Sequence, residues 1–149
     1  MRVLVILILM IIISSCVKNK NGVISSDIEK GNLTIKGDEV HITNVIFNLL
    51  DNAVKYSKDI PEIMVATRRK NGSVIVSVKD NGIGIPKEHQ SQIFDRFFRV
   101  PTGNVHNVKG FGLGLDYVQK ITKAHKWRIK VEENSAGGSI FTLRIPHRL

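Results

Sequence analysis

The chain is 149 residues long, 42% hydrophobic and 23% charged, with a formal net charge of +9. That length supports one well-built core rather than two, and that apolar content excludes a wholly disordered chain. Basic residues are spread along the whole length and never exceed the triplet Arg68-Arg69-Lys70, which argues against a nucleic-acid-binding arm and suits a small polyanionic ligand or an acidic partner.

Residues 3–13 are continuously apolar, and the uncharged stretch extends to Val17. Fifteen helical residues cover roughly 22 Å, short of a hydrocarbon core about 30 Å thick, so the segment reads as a signal-peptide core rather than a spanning helix. The ending Ile13-Ser14-Ser15-Cys16 resembles the lipobox of bacterial lipoproteins, which would export the remainder of the chain. Lys18 and Lys20 directly after it favour the opposite outcome, a domain kept on the cytoplasmic side of a membrane. The expected division is an anchor-like segment and linker over residues 1–21 and a folded domain over residues 22–149. Cys16 is the one cysteine, which excludes an internal disulfide and a cysteine zinc site, and the five histidines lie too far apart for ligand spacing.

Alternation over Val23 to Ile28 and Leu33 to Lys36 around Lys30-Gly31-Asn32 predicts a hairpin. Asp38 is a good N-cap for a helix through His41 to Ser57, which Pro61 follows. Glu62 to Arg69 and Ser73 to Asp80 read as strands joined by an Asn71-Gly72 turn. Pro86 suits a helix start, and Ile93, Phe94, Phe97 and Phe98 form an aromatic patch beyond it. Val100 to Lys109 has no periodicity and many turn formers, as a loop does. A helix over about Phe111 to Lys126 precedes a second hairpin, Arg128 to Glu132 with Ser139 to Pro146. These elements add up to an α/β two-layer sandwich, a mixed sheet of about five strands packed on three helices.

Three segments carry chemistry. On the long helix Asn44, Asn48 and Asn52 lie one above another, while Ile42, Ile46, Leu49 and Ala53 form an apolar stripe on another face. Asparagine is an indifferent helix former, so three on one face ask for a role beyond solvation. The amide oxygen of Asn48 suits a hard cation such as Mg²⁺; Asn52 and Lys55 can meet phosphate or metal-bound water, and Tyr56 can cover a planar base. In Asp80-Asn81-Gly82-Ile83-Gly84-Ile85-Pro86 the aspartate ends a strand, either capping a turn or accepting a hydrogen bond from a ligand such as the exocyclic amine of adenine. Gly110, Gly112 and Gly114 straddle a helix start, where unpaired N–H groups favour phosphate.

The segments HITNVIFNLLDNAVKYS, DNGIGIP, IFDRFFRV and GFGLGL resemble, in order, the N, G1, F and G2 boxes of the catalytic ATP-binding domain of bacterial sensor histidine kinases, over roughly Gly22 to Pro146. The resemblance implies a Bergerat-type fold that binds ATP and Mg²⁺ and donates the γ-phosphoryl group to a histidine. It implies Asn48 as metal ligand, with Asn48 and Lys55 carrying the catalytic role. Nucleotide contacts fall to Asn52, Lys55, Tyr56, Asp80, Gly82, Gly84, Ile85, Lys109, Gly110, Gly112, Leu113, Gly114, Leu115 and Ser139, and Phe94 and Phe97 anchor a lid from Arg99 to Lys109. Two departures stand out. Asn44 occupies the place where hydrolysing relatives carry a glutamate base, and an amide cannot take that proton. No histidine-bearing two-helix dimerisation motif precedes the N box, so the acceptor is expected on another chain, with a response regulator as a further partner. An anti-sigma-type serine kinase and an ATP-binding fragment without transferase activity are the alternatives.

Overall fold

A computed structural model describes residues 14, 17–30, 35, 37–58, 60–101 and 112–146. Five strands, β1 (Val23–Ile28), β2 (Glu62–Lys70), β3 (Ser73–Asp80), β4 (Arg128–Glu133) and β5 (Ser139–Pro146), form one mixed sheet in the order β1-β2-β3-β5-β4. The β1–β2 pair is parallel and every other pair is antiparallel. The described α-helices are α1 (Glu39–Lys55) and α2 (Gly114–Ala124).

Period-two burial makes the inner face of the sheet. Val74, Val76 and Val78 of β3 alternate with half-buried residues, and Phe141, Leu143 and Ile145 of β5 with half-buried or exposed ones, because successive strand side chains point to opposite faces. Helix α1 meets that face with Ile42, Val45, Ile46, Leu49, Leu50 and Ala53. Asp38 caps it as expected, its Oδ1 accepting the His41 N–H at 2.9 Å. The core reaches upstream of β1, where Val17 is fully buried. The Asn71-Gly72 turn has φ of 48° and 63°, the left-handed pair that a two-residue hairpin needs to match strand twist.

Two expectations change. The described half of the predicted Lys30 hairpin, β1, pairs in parallel with β2 in the register Val23 with Glu62; of the expected second arm, Leu33 to Lys36, all but Ile35 lies outside the described residues, as do Gly31 and Asn32 of the turn. The helix predicted from Pro86 is instead two 3-10 turns, Lys87–His89 and Gln92–Phe94, so one of the three expected α-helices is not formed. The segment between Pro86 and Asp95, both extended, is too short for a stable α-helix, and the two turns serve to seat Ile93 and Phe94 in the core.

Leu49→Ala removes a fully buried side chain between α1 and the sheet, and is expected to cost about 3 kcal/mol, read as a lowered urea midpoint with an unchanged slope.

Candidate functional site

A cavity of about 230 Å³ opens between α1, the loop after β3, the second 3-10 turn and the start of α2. Asn48, Asn52, Lys55 and Tyr56 enter it from α1 and its C-terminus, Asp80, Gly84 and Ile85 from β3 and its loop, Gly112, Leu113, Gly114 and Leu115 from the α2 side, and Ser139 from β5. The sequence-expected groups thus converge, apart from Gly82, Phe94 and Phe97, which do not line the cavity, and Lys109 and Gly110, which lie outside the described residues. Asp51, Ile83, Ile93, Phe98, Arg99, Val100 and Phe141 also line it; the alternation of β5 made Phe141 legible as core, but nothing marked it as cavity wall.

Helix periodicity explains the first wall. Asn48 donates its Nδ2–H to the Asn44 carbonyl at 2.7 Å, which leaves Oδ1 as an open acceptor among the described residues. That oxygen points at α2: a Cβ on Gly114 would lie 2.6 Å from it, so glycine there is what lets the two helices bring amide oxygen and helix N-terminus together. Asn44 itself is exposed and its Nδ2 reaches the Tyr117 hydroxyl at 3.5 Å. Lys55 pairs with Asp51 at 2.5 Å. The N-cap of α2, Leu113, offers no side-chain hydrogen bond, so the first N–H groups of that helix are available to an anion.

Asp80 forms the floor. It is 5% exposed, and Oδ1 accepts N–H bonds from Gly82 at 2.8 Å and Ser139 at 3.1 Å. Oδ2 has no hydrogen bond within the described residues. Burial raises the carboxyl pKa, with the Gly82 and Ser139 N–H groups opposing it. Gly82 is required here, since a Cβ would collide with the Tyr56 carbonyl and sit 2.8 Å from Asp80 Oδ1.

The aromatic patch divides: Ile93 and Phe98 line the cavity, and Phe94 and Phe97 do not. Phe94 is buried edge-on to Phe141, ring centroids 6.5 Å apart. The Phe97 side chain is 62% exposed under the Arg96 guanidinium. Its backbone makes the tie: Phe97 N–H donates to the Gly112 carbonyl at 3.1 Å, joining residues that flank the expected lid, Arg99 to Lys109. The described residues contain no cluster of three His, Cys, Asp or Glu side chains that could hold a metal unaided.

Residues 37–149 match the histidine kinase-, DNA gyrase B- and HSP90-like ATPase family. The sensor protein RprX of Bacteroides fragilis is 50% identical over 132 residues, 87% of this chain and 25% of that protein. The catalytic domain of the histidine kinase ThkA superposes with a TM-score of 0.84 at 26% identity, covering 96% of this chain and 90% of that one. ThkA has also been solved in complex with the response regulator TrrA; that chain matches at TM-score 0.80 and 23% identity, over 97% of this chain and 40% of its own length. The chain therefore spans about a quarter of the length of the curated relatives it matches.

The buried carboxyl sets a pH dependence. With a folded-state pKa raised above 3.8 by desolvation, Asp80 contributes stability below pH 3.8 that is lost as pH rises through the folded value. Asp80→Asn keeps an acceptor for both N–H groups and removes the titration. Its Tm is expected to lose that decline with rising pH, measured by calorimetry between pH 4 and 7.

Proposed function

The chain belongs to the histidine kinase-, DNA gyrase B- and HSP90-like ATPase family, and on that premise we propose that it is the Mg-ATP-binding catalytic domain of a sensor histidine kinase, passing the γ-phosphoryl group to a histidine on a dimerisation domain supplied by another chain. The observation that carries this reading is the cavity floor. Asp80 is buried with one oxygen held by two backbone N–H groups and the other unpartnered among the described residues, which suits an amine donor and not a second anion.

The adenine amine donates to Asp80 while Ile85, Ile93, Leu115 and Phe141 wall the ring from water. The phosphates extend toward the uncapped N-terminus of α2, whose N–H groups and dipole favour negative charge. Lys55 exchanges its Asp51 partner for a phosphate oxygen. Magnesium fits the donor set, one open amide oxygen at Asn48 beside the phosphate end, because this ion keeps most of its waters and takes few protein ligands. Held there, the ion would supply neutralisation of charge on the transferring group. Asn44 cannot accept a proton, so the α1 position where hydrolysing relatives carry a glutamate base offers none here, which favours transfer to a protein over hydrolysis.

By analogy with ThkA, found with its response regulator, the acceptor histidine would in turn hand the phosphoryl group to such a partner. We further propose that residues 3–13 associate the protein with a membrane, with the ATP domain on the cytoplasmic side. Among the described residues no helix is long and apolar enough to cross one, and residues 3–13 lie outside them. Cys16→Ser should leave membrane fractionation and lipid labelling unchanged; loss of label would favour a lipoprotein instead.

Titration calorimetry with ATP tests the site. Wild type is expected to bind more tightly with Mg²⁺ than with EDTA, and Asn48→Ala to lose at least tenfold of that metal-dependent gain while its circular dichroism is unchanged. No heat and no thermal protection in the wild type would remove the proposal. Incubation with labelled ATP and a dimerisation domain in trans should yield an acid-labile phosphohistidine; acid-stable label would point to a serine kinase.

A further inference from the structure

The β3–β5 ladder ends one residue short of the site. Its last pair is Lys79 with Ile140, so the Asp80 carbonyl has no partner from β5. That place is taken from the β4–β5 turn: Asn134, 4% exposed, donates its Nδ2–H to the Asp80 carbonyl at 2.9 Å across 54 residues of sequence. The rest of Asn134 is committed to holding the turn in shape. Its Oδ1 accepts from Ala136 N–H at 3.2 Å, its N–H donates to the Gly138 carbonyl at 3.0 Å, and its carbonyl accepts from Gly137 N–H at 2.8 Å.

The turn so folded lies directly on the cavity floor. Gly138 has φ of 92°, and a Cβ there would strike the Asp80 carbonyl and lie 2.6 Å from both Asp80 Oδ1 and Gly82 N. The next residue, Ser139, delivers the second N–H to Asp80 Oδ1. One buried amide therefore fixes both the backbone of Asp80 and the donor that orients its carboxylate.

We propose that Asn134 is a positioning residue for nucleobase recognition: by clasping the β4–β5 turn to the end of β3 it aims the unpartnered Asp80 oxygen at the ring amine, and so sets the preference for a 6-amino over a 6-oxo purine. This rests on the nucleotide-binding reading above. Adenine presents an amine donor where hypoxanthine presents a carbonyl acceptor, so a correctly aimed carboxylate attracts the first and repels the second. Truncating Asn134 leaves the Asp80 carbonyl buried and unpaired, and the carboxylate gains freedom to turn away.

The experiment titrates the full chain with ADP and with inosine diphosphate, and follows the Gly82 and Ser139 amides by nitrogen–proton NMR. Asn134→Ser, whose hydroxyl can still accept from Ala136 but is too short to reach Asp80, is expected to weaken ADP about tenfold. Inosine diphosphate should change less than twofold, and both amide resonances should move upfield as their bonds to Oδ1 lengthen. An unchanged ADP preference with unmoved amides overturns the proposal, as does an equal loss for both nucleotides, which would make Asn134 a general support of the turn. Asn134→Thr, whose hydroxyl likewise stops short of Asp80, is read in the same way should the serine variant fail to fold. If the wild type binds neither nucleotide, the nucleotide reading fails and this inference with it; wild-type binding with an unaltered ratio in the variants sinks the inference alone.

Discussion

The structure of the site depends on keeping one carboxylate dry. Asp80 sits at the end of a central strand, almost without solvent exposure and, among the described residues, without a cationic partner in hydrogen-bond reach, a placement that opposes its own ionisation. Two backbone N–H groups on a single oxygen offset part of that cost. They also impose a geometry, because both donors must come from chain that approaches more closely than a side chain would allow. Gly82 and Gly138 follow from this requirement, and the loop after β3 and the β4–β5 turn are shaped around it.

The second organising element is the division of labour on α1. Its apolar face is fully engaged with the sheet, so the helix is held rigidly by packing and its polar face need not contribute to stability. That frees Asn48 and Asn52 to face a cavity. Gly114 completes the arrangement, since any side chain would displace the Asn48 oxygen. Amide oxygen, uncapped helix end and buried carboxylate then stand around one space.

Where expectation and structure parted, the cause was chain connectivity or segment length. Strand β1 has an alternating sequence that any neighbour could satisfy, and parallel pairing with β2 was settled by α1 crossing over between them, the connection that parallel neighbours require. The stretch after Pro86 has the composition of a helix start but too few residues to sustain one, and core burial of Ile93 and Phe94 decided its form. Phe97 read as an aromatic anchor, yet its contribution is a backbone bond to Gly112, which no side-chain pattern encodes.

The sequence by itself determined whatever is local: the two faces of α1, the Asp38 cap, the Asn71-Gly72 turn, the alternating inner strands, and the asparagines, aspartate and glycines that stand around the cavity. Helical and strand periodicity, turn chemistry and glycine's freedom act within a few residues and are therefore visible in one dimension. Tertiary structure alone decided which distant groups meet. Asn134 reads as an ordinary turn residue until folding carries it 54 residues back onto Asp80, and Phe141 as an ordinary strand residue until it closes the cavity wall. Contacts of that kind are set by how the whole sheet assembles, and no short-range pattern in the chain records them.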